Sequence, residues 1–322
     1  MAYSLEHKLV IGVSTRALFD LRVENRIFEE KGVEAYGIYQ KEHENESLKP
    51  GPGFALIKSL LCLNELPGQA NRVEVILMSK NSPDISLRIF HSIESYGLKI
   101  TRAVFLSGAP LVPYLTAFKT DLFLSACEED VQSAIDAGIA AGIICGGEAA
   151  DYTESGGEDK ESTQIRIAFD GDAVLFSDEA ERIFLEQGLE AFENSEKEKA
   201  MLPLHAGPFA RFLKILSDLQ REFEPSETPV RTALVTARSA PAHERVIRTL
   251  RAWNVRIDEA FFLGGITKRE VLSAFGAQIF FDDQPLHTKL AAEVVPAARV
   301  PIRSSKAKTN IYRLERKIDE VS

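Results

Sequence analysis

Two carboxylates, Asp170 and Asp172, flank Gly171 at the end of an apolar run from Ile165 to Phe169. The run reads as a buried strand, and Asp-Gly-Asp as the tight turn at its C-terminal tip. In open α/β sheets that edge is where ligands bind. Paired acids there can divide the work of phosphoryl chemistry, one attacking phosphorus and the other protonating the leaving oxygen. Three later segments carry matching groups. Thr236 ends the apolar run Thr232-Ala-Leu-Val-Thr236, and a hydroxyl at a strand tip can hydrogen-bond a phosphate oxygen. Lys268, in Gly264-Gly-Ile-Thr-Lys-Arg269, can neutralise phosphoryl charge. Ile279-Phe-Phe-Asp-Asp283 ends a further strand in two adjacent acids, Asp282 and Asp283. Their repulsion suggests a cation between them and the first pair. Singly, each feature is ordinary: a solvated turn, a cap, a surface lysine, an Asp-Asp turn. The joint order is far more specific than any one part.

The elements that must hold these groups alternate between strand and helix, the pattern of a parallel α/β sheet. Before residue 146 the strand candidates are 8–13, 73–78, 104–106 and 122–124, with helices over 18–39, 54–66, 85–96 and 131–141. Residues 146–163 are Gly, Glu, Asp, Ser and Thr with almost no apolar content, a linker. Strands at 165–169, 231–235, 260–263 and 279–281 follow, with helices over 179–194, 209–223 and around 246–253. The second series repeats the first. Asn25-Arg-Ile-Phe-Glu-Glu-Lys-Gly-Val-Glu-Ala-Tyr36 lies beside Glu181-Arg-Ile-Phe-Leu-Glu-Gln-Gly-Leu-Glu-Ala-Phe192, so that Arg26 and Arg182 are 156 positions apart. Ile89, Phe90, Ile93 and Tyr96 match Val246, Ile247, Leu250 and Trp253 at a spacing of 157. A period this long points to an internal duplication into two domains, not a solenoid.

Composition narrows the partners. The 322 residues are 45% apolar and 27% charged, with a net charge of -10. That argues against nucleic acid or an anionic membrane as partner. It leaves small phosphorylated substrates open, because a bound divalent cation reverses the local sign. The three cysteines, Cys62, Cys127 and Cys145, form no Cys-x-x-Cys, which fits a reducing cytoplasm. No apolar run of about 20 residues stands out, and no secretory signal is evident.

The order strand–Asp-x-Asp, strand–Thr, Lys, strand–Asp-Asp resembles the haloacid dehalogenase-like phosphotransferases over 164 to about 302. More narrowly, Phe169-Asp-Gly-Asp-Ala-Val-Leu-Phe-Ser-Asp-Glu179, Thr236-Ala-Arg-Ser239, Phe280-Phe-Asp-Asp-Gln284, His43-Glu-Asn-Glu46 and Pro50-Gly-Pro52 are similar to the cytosolic type I 5′-nucleotidases. The resemblance implies two tandem Rossmann-type domains, each with a helical cap insertion. The degenerate half is 1–148, the linker 149–163, the catalytic half 164–303 with a cap at about 179–230, and a polar tail occupies 304–322. It implies a Mg²⁺-dependent hydrolase of nucleoside 5′-monophosphates, of the AMP/IMP class. Asp170 would be the nucleophile and Asp172 the acid/base. Thr236 and Lys268 would hold the phosphoryl oxygens, and Arg238 would join them in binding the substrate. Asp170, Asp282, Asp283 and the carbonyl of Asp172 would hold the metal. A nucleotide effector and a homo-oligomer remain open, as do two other readings: a phosphatase for another small metabolite, and a nucleotide-binding regulatory protein.

Counted across the repeat, Asp170 falls on Ser14, Asp172 on Arg16, Thr236 on Ser79, Lys268 on Leu111, Asp282 on Ser125 and Asp283 on Ala126. The first half therefore lacks the means for the same chemistry. It is a scaffold, or a binding half in which Ser14, Thr15, Arg16 and Ser79 hold an anion. Phe209, Tyr36 and Tyr39 are candidates for stacking on a base, each as readily a core residue. The duplication leads us to expect one sheet per half.

Overall fold

A computed structural model describes residues 3–145 and 164–304. The expected linker 149–163 and the tail beyond Ser304 lie outside the described residues. Ten strands form the main sheet: β1 Leu9–Ser14, β2 Val73–Ser79, β3 Arg102–Phe105, β4 Leu122–Ser125, β5 Ala140–Cys145, β6 Ile165–Phe169, β7 Val230–Thr236, β8 Glu259–Phe262, β9 Ile279–Asp282 and β10 Ala297–Arg299. Their spatial order is β8-β7-β6-β9-β10-β5-β4-β1-β2-β3. All neighbours are parallel except β5 and β10, which pair antiparallel with Ala298 opposite Ile144. The last five strands keep the order of the first five, each displaced by 156 or 157 positions.

The expectation of one sheet per half therefore gives way to a single sheet. The cause is the pair β5–β10, neither of which reads as a strand in the sequence. Ala140-Ala-Gly-Ile-Ile-Cys145 carries little β-branched content, and Ala297–Arg299 is three residues long. Propensity is weak in both, and pairing across the join decides their conformation. Gly142 lies where the halves meet. A β-carbon there would stand 2.9 Å from Ala298 Cβ and 3.2 Å from Phe281 Cε1.

Beyond the single helical turn Thr15–Leu18, the α-helices among the described residues are α1 Arg22–Glu42, α2 Phe54–Cys62, α3 Leu87–Ser95, α4 Val112–Ala117, α5 Glu128–Asp136, α6 Glu179–Glu198, α7 Ala210–Gln220, α8 His243–Ala252, α9 Arg269–Phe275 and α10 Pro285–Ala291. α1 and α6 follow the first strand of their halves, and both break at a glycine. Gly32 (φ 82°) and Gly188 (φ 86°) adopt a conformation that a β-carbon disfavours. Their low mean hydropathy matches their position over the sheet edge, where several apolar side chains stay exposed: Phe28, Val33 and Ile38 on α1, Phe184, Leu185 and Leu189 on α6.

Both faces of the central strands are buried, as a parallel sheet with helices on each side requires. On β6, Ile165, Ile167 and Phe169 face one core, while Ala168 faces a second with Val235, Phe280 and Ala297. The first core runs without a break from Ile11 and Leu77 to Phe209 and Phe281. Its centre is aromatic: the ring of Phe281 lies 5.7 Å from Phe169 and 4.6 Å from Phe209. Phe209 is thus core rather than a stacking surface for a ligand. Tyr39 stacks on His43 at 4.0 Å.

Because sheet and core are shared, the protein should unfold in one cooperative transition. Gly142→Ala should overpack the join and cost about 1–3 kcal/mol. Thermal unfolding checks both: two separated transitions, or an unchanged Tm for Gly142→Ala, would contradict the shared core.

Candidate active site

The strand tips of the second half gather the chemistry. β6 lies between β7 and β9, so chain connections diverge on either side of it, and such a switch point opens a crevice at the C-terminal edge. Asp170 follows β6, Thr236 ends β7 and Asp282 ends β9. The Asp170 N–H donates to the Phe281 carbonyl at 2.8 Å, which fixes the β6 tip against the β9 tip. Gly171 keeps the turn close to Thr236, whose hydroxyl would stand 3.2 Å from a β-carbon at that position. The Asp282 carboxylate accepts from the Gln284 N–H at 2.8 Å, folding the chain back into α10.

Lys268, at the start of α9, reaches into this group. Its Nζ donates to Asp170 Oδ1 at 2.7 Å and to Asp282 Oδ2 at 2.6 Å, and it is buried with both. Oxygen atoms from Asp170, Asp282 and Asp283 lie within 4.8 Å of one another. Glu181, on α6, joins them through Gln284, whose amide donates to its Oε1 at 3.0 Å. His287 Nδ1 stands 3.3 Å from Asp282 Oδ2.

The negative charge here exceeds what one lysine can balance, and the titration of the acids reflects it. Burial pushes the Asp170 carboxyl up to about 7; Lys268 opposes this, while Asp282 and Asp172 add to it. Burial also pushes Asp283 up to about 9, reinforced by Glu181, Asp170 and Asp282. Glu181 rises too, first through burial and then through Asp172. Asp282 is the exception: burial would raise it, but hydrogen bonding to His287 and the charge of Lys268 hold it below the usual carboxylate range. Burial disfavours the charge on Lys268, yet Asp170 and Asp282 keep it above the ordinary lysine value.

Asp283 Oδ1 and Glu181 Oε2 are buried with no hydrogen-bond donor among the described residues. Two acids can satisfy each other only by sharing a proton. A hard divalent cation is the other remedy, and an all-oxygen carboxylate set suits Mg²⁺. The residues present therefore fit a metal.

Asp172 points to a different partner. The Arg238 guanidinium clasps it with Nε to Oδ2 at 2.8 Å and Nη2 to Oδ1 at 2.7 Å. Arg238 Nη1 also binds Glu196, which accepts from Arg245 at 2.7 Å through its other oxygen. Phe192 lies 5.4 Å from the guanidinium. Burial works against the charge on Arg238, but Asp172 and Glu196 raise its pKa further.

Of the seven residues expected at the site, Asp170, Asp282, Asp283 and Lys268 form one cluster, Thr236 ends the neighbouring strand beside Gly171, and Asp172 pairs with Arg238. The donors of Arg238 are engaged by the carboxylates of Asp172 and Glu196. Sequence reasoning missed Glu181, Glu196, Arg245 and His287. Glu181 stood in the quoted repeat, but no strand tip marked it. His287 follows Asp283 by one helical turn, the one local signal available.

A family model described as 5'-nucleotidase matches residues 1–307. The human protein "Cytosolic 5'-nucleotidase 1B" is 39% identical over 292 residues, which cover 88% of this chain and 47% of that protein. The chain thus spans about half the length of this curated relative. All of the described residues, with both halves of the sheet and every group at the strand tips, fall within the family match, and the chain belongs to the 5'-nucleotidase family.

Proposed function

We propose that this chain is a Mg²⁺-dependent phosphohydrolase acting on nucleoside 5′-monophosphates, and that Asp170 carries the phosphoryl group between two displacements. The observation that carries the reading is the crowd of buried carboxylates at the tips of β6 and β9 around Lys268. The family match supplies the substrate class.

An Asp170 oxygen attacks phosphorus as the bond from phosphorus to O5′ breaks. Asp172 gives its proton to O5′, and the nucleoside leaves. Water then attacks phosphorus, the bond to Asp170 breaks, and Asp172 takes the water's proton, so inorganic phosphate leaves and the site is restored. Lys268 and the Thr236 hydroxyl bind phosphoryl oxygens, because positioning and charge neutralisation dominate phosphoryl transfer. Asp170, Asp282 and Asp283, with the Asp172 carbonyl, would hold Mg²⁺, which when bound offsets the repulsion between the nucleophile and its anionic substrate. In the clasp described above both Asp172 oxygens accept from Arg238. Proton delivery therefore requires Asp172 to turn out of it, and Arg238 fixes the starting orientation.

We read the two halves as copies of one ancestral unit, each with a cap built around its kinked helix. The common strand order, the spacing of 156 to 157 and the matched breaks at Gly32 and Gly188 support this. The shared sheet would then be two sheets joined by β5 and β10. A cytoplasmic setting accords with the free cysteines and with the relative's printed name.

Asp170→Asn should lower turnover on AMP or IMP by about 10,000-fold or more. It should leave Tm equal or higher, since one excess acid is gone. Phosphate release and thermal unfolding, measured side by side, test this, and near-normal turnover would remove Asp170 as nucleophile.

The metal reading has its own test. Asp170 and Asp283 titrate higher in the folded chain than their ordinary value, so the folded state holds more protons than the unfolded one. Their contribution to stability is present at low pH and is lost as pH rises from about 4 through about 9. Asp282 acts in the opposite direction, losing its contribution as pH falls. In EDTA, Tm should therefore decline toward alkaline pH. Mg²⁺ should raise Tm more at pH 8 than at pH 5, and should restore the activity that EDTA removes. A Mg²⁺ shift of equal size at both values, or full activity in EDTA, would count against the cation.

A further inference from the structure

A cavity of about 750 Å³ opens at the strand tips of the first half. Small-molecule sites occupy roughly 300–1,000 Å³. This one lies where the first half has its own switch point, between β2 and β4 on either side of β1. We propose that it binds a nucleoside phosphate without a metal and without hydrolysing it.

The floor of the cavity is a set of hydroxyls. Ser14, Ser79 and Ser125 end β1, β2 and β4 and all line it. Each oxygen accepts from a backbone N–H: Ala17 to Ser14 at 3.2 Å, Asn81 to Ser79 at 3.1 Å, Cys127 to Ser125 at 3.1 Å. Ser79 and Ser125 are 2% and 1% exposed. No acceptor for any of the three hydroxyl protons is found among the described residues. A hydroxyl offers one donor, so three donors converge on the cavity with nothing to receive them. An acceptor-rich ligand end, such as a phosphate, completes them.

Charge points the same way. At the strand tips of the second half Asp170, Asp172, Asp282 and Asp283 stand with Lys268 and Arg238, four acids against two cations. The corresponding first-half positions are Ser14, Arg16, Ser125, Ala126, Leu111 and Asn81, one cation and no acid. The second half needs a divalent cation before it can accept an anion; the first does not. Arg16 lines the cavity, is exposed, and has no ion-pair partner among the described residues. The other charges of the lining largely cancel: Lys41 holds Asp84 at 2.6 Å, Lys80 holds Asp130, and Glu34 is exposed.

The walls suit an aromatic body. Phe28, Val33 and Ile38 on α1 line the cavity and are 47%, 72% and 52% exposed. Tyr36 lines it as well, its ring 5.9 Å from Phe28. In the second half α6 presents Phe184 and Leu189 at the equivalent places. The nucleoside part of this inference rests on the reading of the second half as a site for nucleoside monophosphates. The anion part does not.

The test is calorimetric titration of the full chain carrying Asp170→Asn, in EDTA, with AMP, adenosine and inorganic phosphate as separate probes. AMP should bind, and adenosine at least about tenfold more weakly, because the hydroxyls and Arg16 act on the phosphate. Adding Arg16→Ala should weaken AMP at least about tenfold. Gly37→Leu provides a second variant. Gly37 lines the cavity and a β-carbon there meets only Ile85 Cγ2, at 3.9 Å, so a leucine should take up space in the cavity and AMP binding should fall again. No AMP binding in EDTA, equal binding of adenosine and AMP, or unchanged AMP affinity in both variants would overturn the inference. Wild-type turnover of AMP with Mg²⁺ is measured apart. Turnover without EDTA-resistant binding refutes this site alone, and Arg16-dependent binding without turnover refutes the catalytic reading alone.

Discussion

The structure depends on an imbalance of charge at one sheet edge. Asp170, Asp282, Asp283 and Glu181 meet with Lys268 as the single lysine among them in the described residues, and the protein interior does not screen their repulsion as water would. Burying charge without full compensation costs stability, so something fixed must hold the acids there. The backbone does it. The tips of β6 and β9 are adjacent strand ends tied by the Asp170 N–H to the Phe281 carbonyl. Beneath them Phe169, Phe209 and Phe281 form a floor that leaves little room to relax. The acids stay together because the sheet gives them no alternative, and protons or a cation make up the difference.

What the sequence made legible follows from this division between local and long-range causes. Apolar runs that end in Asp, Thr or Asp-Asp show both the strand and the group at its tip, so Asp170, Thr236 and Asp282 could be placed by inspection. Lys268 was legible only through the order of the motifs, since its neighbours Gly264 and Gly265 say turn and nothing more. The partners on α6 were not legible. Glu181 and Glu196 sit on a helix whose polar residues look uniformly solvated, and only the fold decides that Glu196 is 1% exposed between Arg238 and Arg245. The carboxylate partners of Arg238, Asp172 and Glu196, were not legible for the same reason: a guanidinium is drawn to whichever carboxylates the fold supplies.

The join between the halves was the largest feature that pattern reading missed. Edge strands carry unpaired backbone groups that must be covered. β5 and β10 are the inner edges of the two five-stranded sets, and each covers the other. The pairing needs no strong strand sequence because the alternative is two open edges. It does need a small residue where the backbones approach, and Gly142 provides it.

The two halves then differ in charge more than in frame. In the second, the chain Asp172–Arg238–Glu196–Arg245 is ionic throughout. In the first, the matching places hold Asn81, Gln40 and Arg88, linked through Tyr36 and Gln40, with Arg88 balanced by Glu24 at 2.8 Å. The helices return to the sheet in the same way: Leu48 N–H donates to Ser92 and Leu204 N–H to Thr249, both at 2.9 Å. The polar groups at the tips differ most. Where the second half has acids at its strand tips the first has hydroxyls, and the mutual repulsion of buried carboxylates is absent there. One frame therefore supports two kinds of edge. One carries more buried acid than its lysine balances, while the other carries hydroxyls and the exposed Arg16.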